Sequence, residues 1–355
     1  MRHTFIIAEA GVNHNGDLDK ALRLVDAAAD AGADCVKFQT FRAGDLASGH
    51  APKAGYQRAT TDASESQLDM LRRLELPHAW HGKLLARCHA RGVVFLSTPF
   101  DLASLAFLVE ELNLALIKLG SGELTNAPLL YAAGRSRRNL IVSTGMGTLE
   151  EVRAALAAIA AGQLNRPPSR AAFAAIAAAE AGRRTLAEKV TLLHCVTAYP
   201  SPPEDCNLRA MATLGEAFGL PIGYSDHTLG TAVAVAAAAL GAEVIEKHLT
   251  LDRTLPGPDH GASLEPGEFA GMVADIRSVA TALGDGVKIP RPSELNNVRV
   301  ARKSLVAARA IKAGELFAAD NVTAKRPGSG RSPFDYWELI GQAAGRDLSE
   351  DEPIP

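Results

Sequence analysis

Two histidines that follow neighbouring apolar runs are the residues best placed to do chemistry in this chain. Gly223-Tyr224-Ser225-Asp226-His227-Thr228 and Val244-Ile245-Glu246-Lys247-His248-Leu249 each end in polar groups, with an alanine-rich segment at 229–240 between them. Read as strand, helix and strand, they set His227 and His248 side by side at one edge of a parallel sheet. A lone histidine at a strand end is usually structural, but two imidazoles at equivalent positions can share a divalent ion. Such an ion, completed by water and substrate oxygens, is a Lewis-acid centre. Asp226 and Glu246 place a carboxylate near each histidine in the sequence.

Lysines form a second group. Lys37 and Lys118 interrupt apolar runs, where a buried cation is costly unless an anion meets it. Hydroxyls of Thr98, Ser121, Ser143 and Ser225 and the turns Gly120-Ser121-Gly122 and Ser143-Thr144-Gly145 add donors. Together they suit a small metabolite carrying both a phosphate and a carboxylate. The rival use of such a lysine is as a Schiff-base nucleophile, although two lysines among serines fit anion binding better than one activated amine. No P-loop or G-x-G-x-x-G fingerprint is present, so neither nucleotide site is indicated.

The elements that would carry these groups are short β-branched runs alternating with Ala/Leu-rich helical segments between Thr4 and Thr250. There are eight such runs, near Phe5, Cys35, Val93, Leu116, Leu140, Val190, Pro221 and Glu243, which predicts a closed (β/α)8 barrel, the TIM fold. Polar groups follow each run, including Glu9 and Asn13 after the first, His194 and Tyr199 after the sixth and Glu246-Lys247-His248 at the eighth. They converge on the C-terminal mouth, where barrel enzymes place their chemistry. The segment 43–76 is long enough to act as a lid or binding loop, and 163–189 reads as a surface helical elaboration. After a last helix near 266–283, the sequence predicts a barrel domain over 1–285, a linker over 286–300 and a small second domain over 301–355.

Bulk properties narrow the class. At 355 residues, with 47% hydrophobic and 22% charged residues, the chain can bury a large core. A formal net charge of -3 gives no reason to expect nucleic acid, and the tail is balanced, with eight basic and eight acidic residues over 301–355. Cys35, Cys88, Cys195 and Cys206 show no C-x-x-C spacing, which argues against a disulfide frame or structural zinc and for a reducing compartment. Neither a secretory leader nor a membrane-spanning stretch is evident, so a cytoplasmic protein is expected.

Eight motifs in order give a resemblance. Glu9-Ala10-Gly11-Val12-Asn13-His14-Asn15-Gly16, Val36-Lys37-Phe38-Gln39-Thr40, Ser97-Thr98-Pro99-Phe100, Lys118-Leu119-Gly120-Ser121-Gly122-Glu123, Ser143-Thr144-Gly145-Met146, Tyr224-Ser225-Asp226-His227-Thr228, Glu246-Lys247-His248 and Pro256-Gly257-Pro258-Asp259-His260 together resemble the sialic acid synthase family. The tail, with Lys325-Arg326-Pro327-Gly328, resembles that family's antifreeze-like (SAF, β-clip) domain. Only 163–189 falls outside the likeness.

The resemblance implies condensation of phosphoenolpyruvate with the open-chain aldehyde of an N-acetylated sugar, giving a nine-carbon 2-keto acid and phosphate. It implies that Lys37, Thr98, Lys118, Ser121, Ser143, Tyr199 and Ser225 hold phosphoenolpyruvate, and that His227 and His248 bind a manganese or magnesium ion. Glu9, Gln39 and Asp259 would contact sugar hydroxyls, with Glu9, Glu123 and Glu246 as the catalytic carboxylates. Arg326 would reach the sugar's N-acetyl group across a domain-swapped homodimer. One departure is Thr197, two places before Tyr199, where relatives often carry asparagine. A hydroxyl donates one hydrogen bond where an amide donates two.

Three functions compete on this reading. First stands N-acetylneuraminate synthase acting on N-acetylmannosamine. Next comes a legionaminate or pseudaminate synthase, whose diacetamido-deoxy hexose carries a second acetamido group and a methyl in place of a hydroxyl; the segment His50 to Gln57 lies in the loop that would decide between them. Third is a non-catalytic sugar-binding protein, against which the intact lysines, serines and histidine pair argue.

Overall fold

The computed structural model describes residues 3–62 and 64–355. The chain divides into two compact units, one ending at Gly284 and the other spanning Asp285–Pro355. In the first, eight strands alternate with helices: β1 (Phe5–Gly11), β2 (Cys35–Thr40), β3 (Val94–Pro99), β4 (Leu116–Leu119), β5 (Asn139–Ser143), β6 (Val190–Cys195), β7 (Ile222–Asp226) and β8 (Val244–His248). They pair in parallel in the order β3-β2-β1-β8-β7-β6-β5-β4, and β3 and β4 approach each other across the remaining seam. The sheet is thus a (β/α)8 barrel, and all eight runs picked out in the sequence are its strands.

Side chains on a strand alternate between faces with a period of two, and here that alternation sorts chemistry by height. Ile7, Cys35, Leu96, Ile141, Leu193 and Val244 form a small buried cluster of their own inside the barrel. Two residues further along the same strands, Glu9, Lys37, Thr98, Ser143, Cys195 and Glu246 line a cavity. An apolar plug therefore closes the lower barrel and a polar ring opens at the top. On the opposite face, Ile6, Ala8, Val36, Phe38, Ile117 and Ile245 join the main core between sheet and helices.

Local signals set the helices. The helix Leu18–Asp30 starts at Asp17, whose carboxylate accepts from the N–H groups of Asp19 and Lys20, and it buries Ala21, Leu24, Val25 and Ala28 on one stripe. Thr148 and Glu151 form a capping box at the start of Leu149–Gln163. The long loop after β2 folds into three short helices, Ala43–Leu46, Gly55–Thr60 and Gln67–Leu74, and the elaboration before β6 is two helices, Arg170–Ala178 and Glu180–Lys189.

The second unit has its own core, in which Leu305, Ile311, Phe317, Val322, Leu339 and Leu348 pack together. Its strands β9 (Ser304–Ala307) and β10 (Val322–Lys325) pair antiparallel. The stretch read as a linker carries a short helix, Leu295–Ala301, within this unit. All four cysteines are buried free thiols. No helix among the described residues is long and apolar enough to cross a membrane.

Candidate active site

The polar ring lines a cavity of about 400 Å³ at the C-terminal ends of the strands. Strand register brings its members together: Glu9 on β1 lies opposite Lys37 on β2 and His248 on β8, and Ser225 on β7 lies opposite Glu246 on β8. Lys37 Nζ forms a close ion pair with Glu9 Oε2, donates to Thr98 Oγ1 at 3.3 Å and stands 3.7 Å from Glu246 Oε1. Lys118 Nζ approaches the other oxygen of Glu246 at 3.5 Å, and Ser225 Oγ donates to Glu246 Oε1 at 3.0 Å. Both lysine–Glu246 separations exceed the roughly 2.8 Å of a close charge-assisted hydrogen bond, so N–H donors remain for a further anion. Ser143 Oγ and His248 Nδ1 are buried with no hydrogen-bond partner, and a buried polar atom left so calls for an explanation such as a ligand.

Electrostatics follow from burial and from the lysines. Burial alone would raise Glu246, but Lys118 and Lys37 outweigh it and hold the carboxyl down to about 2. Burial raises Glu9 against the pull of Lys37. Burial would also lower Lys37, yet Glu246 and Glu9 turn the net shift upward, whereas Lys118 is lowered by burial despite Glu246. Asp259 is pushed up to about 7, first by burial and then by Glu9. One lysine is thus firmly cationic, and the carboxylate between the two lysines is firmly anionic.

A β-bulge aims the first carboxylate. The β1–β2 register shifts between Glu9 and Gly11, and Gly11 sits at φ +51°, where a Cβ would lie 3.1 Å from Glu9 Oε1 and 3.4 Å from Gln39 Nε2. Glycine there tolerates the left-handed backbone and leaves room for Gln39 Nε2 to donate to Glu9 Oε1 at 3.2 Å. In the turn after β5, Gly145 does similar work: its N–H donates to Ser121 Oγ at 3.0 Å, and a Cβ would lie 2.4 Å from Thr197 Oγ1.

The two histidines meet at the same rim, with ring centroids 5.6 Å apart and Tyr199 packed on both, at 4.2 Å from His227 and 5.7 Å from His248. His227 Nδ1 donates to Val196 O at 2.6 Å, which fixes the tautomer and leaves Nε2 as a lone pair near Ser225 Oγ. Burial lowers both histidines, so both imidazoles are neutral. The donor set fits a divalent ion in this respect: two neutral imidazoles side by side, with Asp259 Oδ2 3.8 Å from His248 Nδ1. Among the described residues no group of three His, Cys, Asp or Glu side chains is placed to hold a metal.

Glu9, Gln39, Thr98, Ser121, Tyr199 and Asp259 all line the cavity, beside both lysines, Ser143, Ser225, Glu246 and both histidines. Glu123, Asp226, Lys247 and His194, barrel residues read at the mouth, do not line it. Glu123 lies outside the cavity lining and accepts from Asn126 Nδ2 at 2.6 Å. Arg326 is exposed at the end of β10 in the second unit. Asp226 and Lys247 point outward, into the layer between sheet and helices, because each is one residue out of phase with its cavity-facing neighbour. His194 likewise turns away and bonds Cys206 O, while its neighbour Cys195 takes the cavity position. Cys195 was legible as the second residue after the plug's Leu193. Tyr56 was not singled out for the ring: it reaches in from the long loop and packs on Tyr199 at 5.0 Å.

Residues 24–288 match the NeuB family and residues 302–355 match the SAF domain. N,N'-diacetyllegionaminic acid synthase of Campylobacter jejuni is 46% identical over 100% of this chain and 99% of its own length. The enzyme of the same name from Legionella pneumophila is 41% identical over 97% and 91%. The solved N-acetylneuraminic acid (sialic acid) synthetase from Leptospira borgpetersenii, in complex with citrate, is 33% identical and superposes with a TM-score of 0.66 over 83% of this chain and 90% of that one.

Proposed function

The chain belongs to the NeuB family, and from that premise we propose that it condenses phosphoenolpyruvate and water with a diacetamido-deoxy hexose, giving a nine-carbon 2-keto sugar acid and phosphate. The sugar corrects the order read from sequence, which put N-acetylmannosamine first: the relatives at 46% and 41% identity make N,N'-diacetyllegionaminic acid. The observation that carries the reading is the ring of Lys37, Lys118, Ser143 and Ser225 around Glu246, in which lysine donors and a buried hydroxyl await an anion.

In this reading, Lys37, Lys118 and the hydroxyls of Thr98, Ser121, Ser143 and Ser225, with Tyr199, bind the phosphate and carboxylate of phosphoenolpyruvate. Glu9, Gln39 and Asp259 orient the sugar so that its aldehyde carbon faces C3 of phosphoenolpyruvate. The new bond forms between those carbons, water adds at C2, and cleavage of the C2–O bond releases phosphate. Glu246 supports the positive charge that develops at C2, from a site where low dielectric strengthens the interaction. A manganese or magnesium ion held by His227 and His248 would supply Lewis acidity toward the aldehyde oxygen. Arg326 is proposed to contact an acetamido group in the partner subunit of a homodimer.

The test incubates the purified protein with phosphoenolpyruvate, manganese and each candidate sugar and measures phosphate release. Release with the diacetamido-deoxy hexose is expected; none with any sugar would end the condensation reading. Chelation, and His227→Ala or His248→Ala, should abolish turnover and weaken manganese binding measured by titration.

A further inference from the structure

The cavity has two chemically different sides. Strand ends supply the charged floor. The roof comes mainly from the loop after β2, where Leu46, Met70, Leu71 and Leu74 line the cavity with Val12 and Phe100. These are not scattered side chains: Val12, Phe41, Met70 and Leu74 form a buried apolar cluster on which Leu46, Leu71 and Phe100 pack. Two carboxamides, Gln57 and Gln67, interrupt the apolar lining.

The roof is also held in place. Lys53 is buried, and its Nζ donates to Thr61 Oγ1 at 3.0 Å, Asp62 O at 2.7 Å and Glu65 Oε2 at 3.1 Å. Arg73 binds the same Glu65 through both oxygens, at 2.7 and 2.8 Å, and Tyr56 packs on Tyr199. A fixed apolar surface facing a polar floor discriminates between ligands by what they present upward. A hydroxyl turned toward Leu46 or Leu71 is desolvated without a partner. A methyl group gains from the same contact, and an acetamido group offers a methyl to the leucines and an amide to a glutamine.

We propose that the apolar roof, through Leu46 and Leu71, is the specificity-determining surface for the sugar and selects one bearing a methyl and a second acetamido group over a fully hydroxylated one. The inference rests on the condensation reading above and adds which residues choose the substrate. An apolar contact of this kind separates two ligands by about 10- to 100-fold.

The experiment measures kcat/KM by phosphate release, with phosphoenolpyruvate and manganese saturating, for the diacetamido-deoxy hexose and for N-acetylmannosamine. Wild-type protein is expected to prefer the first. Leu71→Asn and Leu46→Asn should each lower the ratio of the two kcat/KM values by about tenfold, with the KM for phosphoenolpyruvate unmoved, and Leu71→Met should restore it. Leu46 and Leu71 are only partly buried, and thermal melts identify any variant that fails to fold, leaving the other to decide. A wild-type preference for N-acetylmannosamine, or an unchanged ratio in a folded variant, overturns the roof as selector while condensation stands. No phosphate release from wild type with either sugar overturns the condensation reading, and the inference with it.

Discussion

Lys247 Nζ donates to Asp226 Oδ2 at 2.7 Å, both side chains fully buried, on the outer face of the two strands whose inner ends carry His248 and His227. The same ammonium donates to Thr228 O at 2.6 Å, and Asp226 Oδ1 accepts from the N–H and hydroxyl of Thr228. Every polar atom of the pair is thus engaged, and the bond spans β7 and β8 one residue before each histidine. Burial pushes Lys247 down, against the pull of Asp226.

Breaking that pair should be expensive. Lys247→Met leaves Asp226 buried and unpaired and is expected to cost about 3–5 kcal/mol of stability. Lys247→Met combined with Asp226→Leu should recover much of it. Urea unfolding of the two variants checks this, and equal stability of single and double variants would contradict it.

Among the described residues Lys118 forms an ion pair with one carboxylate, Glu246, at 3.5 Å. Lys118→Met removes a charge-assisted contact to the bound anion, so kcat/KM for phosphoenolpyruvate should fall about 10- to 100-fold, from a contact of roughly 1.5–3 kcal/mol. Steady-state kinetics against phosphoenolpyruvate at fixed sugar measure it. An unaltered KM and kcat would place the anion elsewhere.

At Gly11 the backbone and the carboxylate compete for one space. Gly11→Ala adds a Cβ 3.1 Å from Glu9 Oε1 at φ +51°, costing about 1–2 kcal/mol for the left-handed conformation. The sugar KM should rise more than the phosphoenolpyruvate KM, because Glu9 and Gln39 face the sugar in the proposed pose. Parallel kinetics with each substrate varied show whether the two constants separate.

Acid should cost stability through the buried histidines, against an opposing contribution from Asp259, whose carboxyl, raised to about 7, adds stability as pH falls through that value. Burial holds His14 and His81 down to about 4, below the ordinary value near 6.5. Between those values the unfolded chain takes up protons that the fold refuses, so each histidine removes up to about 1.4 kcal/mol per pH unit as pH drops. Glu246, held down to about 2, contributes stability present above about 4.5 and lost as pH falls toward 2. Urea unfolding at pH 7, 6 and 5 should show the decline, and His81→Asn should flatten its slope by about one proton. A flat profile would speak against neutral buried imidazoles.

For Arg326, mixing separates roles by subunit. If the proposed homodimer shares its sites, Arg326→Ala and Lys118→Met should each be impaired alone, and mixing the two proteins should raise turnover above either, since one site of a mixed dimer would be intact on both sides. Turnover that does not rise on mixing places Arg326 in its own subunit's site or outside catalysis.

Much of the barrel was legible because each strand is a compact β-branched run and each run is followed by polar residues. Glu9, Lys37, Ser225 and Glu246 meet because parallel register does what the alternating pattern implies. Lys247 and His194 were misplaced at the mouth for one reason: composition marks a strand end as polar, but only phase says which face a residue takes. Adjacent Glu246 and Lys247 cannot both point inward. Glu123 follows its strand by a helical turn, where the two-residue alternation no longer holds. Tyr56 and the leucine roof depend on how a long loop folds back, a tertiary outcome that no local pattern encodes.

The stacking of an apolar plug beneath a polar ring, two residues apart on each strand, also limits how this chain can change its length. Deleting or inserting a single residue within β1, β2, β5 or β8 would turn the plug residue toward the helices and carry its polar partner along with it. Length variation is therefore confined to the connections. The longest additions here, the loop after β2 and the two helices before β6, lie outside the strands, so the roof over the site is free to diverge while the ring beneath it stays in step.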